Sequence, residues 1–86
     1  MNSEKPVVVR SVNMSGEMVC VDFFRRIDGT FGFEEFRRDP EDGQGWFAIG
    51  FYSNQSFGTL AGAEQAAEQA VGWLADAMRH RNRQVL

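Results

Sequence analysis

Little in this 86-residue chain can staple a fold, hold a metal or cross a membrane. Cys20 is the only cysteine, which excludes an intramolecular disulfide and a cysteine-rich zinc site. His80 is the only histidine, which excludes a histidine-based metal cluster. No apolar run approaches the ~20 residues that span a bilayer. Val7-Val8-Val9 is broken by Arg10, and an acid, Glu4, comes early, which argues against a signal peptide. The expectation is a cytoplasmic protein of bacterial type with no membrane partner. An excess of positive charge is also missing: the net charge of −3 argues against a general polyanion binder. Acid gathers at Glu34, Glu35, Asp39, Glu41 and Asp42, and base at Arg79, His80, Arg81 and Arg83. A helix C-terminus favours such a basic cluster without any nucleic acid. The length suits one small domain, a size at which oligomerisation often supplements a thin core.

What the chain does have is aromatic side chains, and they are concentrated. Ten of the eleven lie between Phe23 and Phe57, around two turn signals, Asp28-Gly29 and Asp39-Pro40-Glu41-Asp42-Gly43. Asp-Gly between apolar runs is a strong hairpin signal. Strands are therefore expected over residues 18–27, 30–38 and 46–52, with a loop at 39–45 and a short turn at Ser53-Asn54-Gln55. Residues 7–12 are β-branched and offer an extra edge strand, although their alternation is poor. Thr59 is a suitable N-cap. After it, Leu60, Ala63, Ala67, Ala70, Val71, Leu74, Ala77 and Met78 recur at three- and four-residue spacing. That stripe predicts one long helix ending near residues 80–82. Gly62 and Gly72 each cost it about 1 kcal/mol relative to alanine.

The expected fold class is α+β: an antiparallel three-stranded meander, with an optional fourth N-terminal strand, packed against one long C-terminal helix. Residues 1–17 form a tail or weak edge strand, 18–82 a single β-β-β-α domain, and 83–86 a tail. Leu74 and Val71 are expected to dock on the aromatic face of the sheet, with Trp73 at the margin.

If Asp28-Gly29 is a two-residue turn, Ile27 opposes Thr30, Arg25 opposes Gly32, Phe23 opposes Glu34 and Val21 opposes Phe36. The other face then carries Arg26 with Phe31, Phe24 with Phe33, and Asp22 with Glu35. Both faces receive large aromatics, and one helix covers only one of them. Two outcomes follow. A bulge near Glu34-Glu35 gathers the aromatics on the helix side, or a second copy of the chain covers the other face. The second outcome makes Phe24, Phe31 and Phe33 a dimer or partner interface.

Residues that could carry chemistry each have a duller role. Cys20 sits mid-strand among apolar residues, the usual setting of an inert thiol. The acidic loop lacks the spaced ligands of a calcium site. Gly29, Gly32, Gly43, Gly45 and Gly50 open no helix, so they make no phosphate-binding loop. Glu34 and Glu35 are strand neighbours pointing to opposite faces. No base, nucleophile and oxyanion donor can be named together, so neither an enzyme nor a cofactor is expected. Nucleic-acid binding is the main competitor, because Arg25-Arg26 and Arg37-Arg38 are interleaved with aromatics that could stack bases. The negative charge and the placement of the two arginine pairs at opposite ends of the hairpin count against it.

Across Asp28 to Gly43, through Trp46, and then from Thr59 to Leu74, the chain resembles small uncharacterised bacterial β-β-β-α proteins. The resemblance implies a fold and a cytoplasmic location, and carries over no activity, ligand or catalytic residue. Residues 1–17 lie outside it. The functional expectation is a self-associating or protein-interaction module, a homodimer or the binder of another protein, without catalysis, metal or cofactor. A nucleic-acid-binding or regulatory module is the alternative.

Overall fold

Successive strands lie side by side in the order of the chain, so the sheet is a simple antiparallel meander. The computed structural model describes residues 5–14, 16, 18–39, 41, 43 and 45–84, with side chains through Arg79. Among these, four strands form the sheet: β1 (Val7–Asn13), β2 (Val19–Arg25), β3 (Phe31–Arg38) and β4 (Trp46–Ala48). Two helices follow, α1 (Leu60–Ala70) and α2 (Leu74–Gln84). The α+β class and the optional N-terminal strand are both present. Pro40 and Asp42 of the acidic loop and the side chain of His80 lie outside the described residues.

The hairpin between β2 and β3 has a three-residue loop, which corrects the two-residue turn. The Gly29 amide donates to the Arg26 carbonyl at 3.0 Å, and the Arg26 amide to the Thr30 carbonyl at 2.8 Å. Gly29 sits at φ 89°, the left-handed conformation that this loop length requires. Asp28 braces the turn, accepting from the Thr30 amide and hydroxyl. These bonds hold its carboxyl below the usual range.

One extra loop residue shifts the pairing by one and moves whole sets of side chains between faces. Phe23 therefore opposes Phe33, Arg25 opposes Phe31, Val21 opposes Glu35, and Asp22 opposes Glu34. The β2–β3 ladder is continuous from Val19 to Arg25, so of the two alternatives the bulge at Glu34-Glu35 does not form, and this offset gathers Phe23 and Phe33 instead. The irregularity in the sheet lies instead in β1, where Val9 is inserted between Val8 and Arg10.

The expected single helix is two. Thr59 caps α1 as the sequence predicts, accepting from the Gly62 amide at 3.0 Å. Val71 then leaves helical geometry at φ −111°, ψ 107°, and Gly72 and Trp73 turn the chain into α2. A β-branched residue beside a glycine is a weak point in a helix. Tertiary contacts reward the break: Val71 and Leu74 are both buried, and the Trp73 indole N–H donates to Glu35 Oε2 at 3.0 Å. The third expected strand is also shorter, since β4 ends at Ala48.

The core lies between the helices and one face of the sheet. Val12, Val21, Phe23 and Phe33 meet Ala63, Ala67, Val71, Leu74 and Met78. Alanine at 63 and 67 lets α1 lie close to the large rings opposite. Arg10 ties β1 to α1 by donating to Glu64 at 2.6 Å.

Candidate interaction surface

Phe24, Phe31 and Phe33 do not share a surface. Phe33 is fully buried, within 6.2 Å of Phe23, 6.0 Å of Phe57 and 5.0 Å of Tyr52, centroid to centroid. Phe31 packs on the rim of that core and is bridged by backbone to Phe57. Phe24 lies on the opposite, open face, where the Arg26 guanidinium covers its ring at 5.0 Å. Gly32 sits beneath that pair. A β-carbon there would come within 2.8 Å of both Arg26 Nη2 and Phe24 Cε1.

The arginines do not converge either. Arg25 is exposed opposite Phe31, and Arg37 is exposed opposite Val19, at the two ends of the ladder. Arg26 is held by the carbonyls of Ser53 and Gln55 and the hydroxyl of Ser56. Arg38 stacks on Trp46 at 5.0 Å.

Sequence reasoning missed the structural role of Glu34. This carboxylate, 3% exposed, accepts from the amides of Tyr52 at 2.8 Å, Ser53 at 3.0 Å and Gly50 at 3.2 Å, and from its own neighbour Glu35 at 3.0 Å. It takes the place of a further strand, satisfying amides that leave the ladder after β4. A turn-forming run after a short strand, with an acid one strand away, was the available signal. Spacing alone does not say which acid is used.

Between the clamped amides stands Phe51, at φ 58° and 77% exposed. A bulky residue in the left-handed region costs about 1–2 kcal/mol. Strain of this kind persists only where surrounding contacts over-determine it, and Glu34 and Arg26 supply those contacts. Phe47 and Ile49 are exposed on the same segment. Residues 43–63 contain no charged side chain at all.

No family model, no curated protein and no solved structure matches this chain. The functional case therefore rests on the chemistry of these residues.

The open face carries the remaining polar groups. The Ser11 hydroxyl donates to Asp22 Oδ1 at 2.6 Å, and the Cys20 thiol lies 3.9 Å from the same oxygen. Burial, helped by the Asp22 carboxylate, pushes the Cys20 thiol from 9.0 up to about 11. Cys20 is thus protonated near neutrality and is a poor nucleophile. Among the described residues, no three His, Cys, Asp or Glu side chains are grouped to hold a metal. No described helix is long and apolar enough to cross a membrane.

Proposed function

We propose that the chain is a non-catalytic self-association module, a homodimer whose contact is the uncharged edge formed by β4 and the following loop. The observation that carries this reading is Phe51, an exposed aromatic held in a strained conformation by a buried carboxylate clamp. Aromatic side chains, phenylalanine among them, are enriched in protein contacts relative to the rest of the surface. Phe47 and Ile49 extend the apolar area on either side. A second copy is the favoured occupant because net charge opposes self-association elsewhere on the chain. The segment 43–63 itself brings no charged side chain to a contact between two copies of charge −3. Symmetric pairing of one patch with itself is the commonest route to a dimer.

The nucleic-acid reading draws less support. It needs stacking aromatics and free arginines together, yet Phe33 is buried and Arg26 is committed to the loop. Light scattering after size exclusion at micromolar concentration tests the first reading: twice the 9.7 kDa chain mass is expected. A monomer mass would overturn the homodimer. Oligonucleotide binding that weakens steeply with salt would favour the alternative.

A further inference from the structure

The open face of the sheet holds a basin of about 350 Å³ that shares only Trp46 with the proposed self-association contact. Ser11 and Asn13 of β1, Cys20 and Asp22 of β2, Phe36 of β3 and Trp46 of β4 line it. Its volume is in the range of small-ligand sites, and its lining has their usual makeup: apolar walls with a few converging polar groups.

Among the described lining residues, Asp22 is the only charged side chain. Ser11 occupies one lobe of Oδ1, and among the described residues Asp22 makes no ion pair. Arg10, on the adjacent strand, belongs to the helix side and is spent on Glu64. The basin thus offers a carboxylate with no ion-pair partner among the described residues, an amide oxygen from Asn13 and the hydroxyl oxygen of Ser11, beside two aromatic rings. All three oxygens can accept hydrogen bonds. The Arg38 guanidinium over Trp46 at 5.0 Å shows the same chemistry at the rim: a planar cation against this indole.

That set selects against other ligands. A phosphate or nucleic-acid backbone meets a negative charge. A divalent metal would find only one carboxylate and one thiol, since no three such ligands are grouped among the described residues. An electrophilic substrate finds no thiolate. A neutral apolar ligand would leave Asp22 desolvated without a partner, which is costly. A guanidinium satisfies every group present: it is flat, carries only donors, pairs with a carboxylate in a fork and stacks on aromatic rings. We propose that this basin binds the guanidinium of an arginine side chain presented by a partner protein, with Asp22 as the counter-ion and Phe36 and Trp46 as the walls.

The test is a titration of the isotopically labelled protein, followed by amide spectra. The probes are a short capped peptide with one central arginine and its twin carrying citrulline, the neutral isostere. The expected result is saturable shifts at Asn13, Cys20, Asp22, Phe36 and Trp46 with the arginine peptide. Affinity should fall by about tenfold or more for the citrulline twin and for Asp22→Asn. Asn at position 22 keeps an acceptor for Ser11, so the spectrum outside the basin should stay unchanged. A Trp46→Leu variant should weaken binding without abolishing it. Equal binding of the two peptides, equal binding by Asp22→Asn, or shifts scattered over every exposed acid would each overturn the site. The mass by light scattering is read on Asp22→Asn, which lies on β2 away from the β4 edge, so loss of the dimer and loss of the basin are distinct results.

Discussion

Phe23 and Phe33 face each other across the two central strands, with ring centroids 6.2 Å apart and planes inclined at 44°. A two-residue turn would have set Phe23 against Glu34 and sent Phe33 to the far side of the sheet. The three-residue loop, with Gly29 at φ 89°, places both rings under the helices. Gly29→Val should therefore do more than strain one residue. A β-branched side chain resists the left-handed conformation, so the loop loses the geometry that sets the register. The expected cost is about 1–3 kcal/mol, measured by urea denaturation. Broadening of the Phe23 and Phe33 ring signals should accompany it. An unchanged midpoint would show that register is set elsewhere in the ladder.

The element types were legible because strands and helices announce themselves by period, and the segments here are strongly patterned. Thr59 as a cap and Leu74 as a docking residue could be read from spacing alone. Which face each aromatic occupies could not, because that depends on whether the Asp28-Gly29 loop has two residues or three. The sequence Ile27-Asp28-Gly29-Thr30 allows both. The break at Val71-Gly72 was hidden for a related reason. Its local cost is small, and the contacts that outweigh it, Trp73 on Glu35 among them, are nonlocal. Glu34 and Phe51 were the least legible. One looks like a solvated strand acid and the other like a third-strand aromatic until the loop is seen to curl back over β3.

Glu34 gives a direct test of that loop. Its carboxylate accepts from the amides of Glu35, Gly50, Tyr52 and Ser53. Glu34→Gln is nearly the same size but turns one acceptor into a donor, aimed at amides that are themselves donors. The loss should be about 1–3 kcal/mol. Amide exchange should accelerate first at Gly50, Tyr52 and Ser53, ahead of global unfolding. Exchange that rises only with global unfolding would mean that the clamp does not hold the loop independently.

Cys20 predicts a pH dependence with a definite sign. Burial first, and Asp22 second, raise its thiol from 9.0 to about 11, so the fold prefers the neutral form. The stabilisation is complete below pH 9 and is lost as pH rises through about 11. At any pH below 9, the thiolate fraction should be about a hundredfold smaller than in the unfolded chain. Alkylation rates measured against pH should show the late inflection. Asp22→Asn removes the charge while keeping an acceptor, which should move the inflection down while burial still holds it above the ordinary thiol. An inflection that ignores position 22 would contradict the coupling.

Phe51→Gly separates folding from association. Phenylalanine at φ 58° carries backbone strain that glycine does not. Glycine gives back part of that gain through the greater freedom of the unfolded chain. The two effects oppose each other, so monomer stability should change by less than about 1 kcal/mol. The bonds from Gly50, Tyr52 and Ser53 to Glu34 use backbone amides on either side and survive the substitution. What disappears is an aromatic side chain that is 77% exposed. If Phe51 anchors the dimer, the dissociation constant should rise by about tenfold or more, because a central aromatic anchor is worth upwards of 2 kcal/mol. Ile27 is equally exposed, in the β2–β3 turn rather than on the 46–51 segment, and supplies the control. Ile27→Ser should leave the dissociation constant alone if contact is confined to the β4 edge. Sedimentation equilibrium across the micromolar range reads both variants. A Phe51→Gly protein that folds and dimerises as before would remove the anchor, and Ile27→Ser losing the dimer would move the interface to the β2–β3 turn.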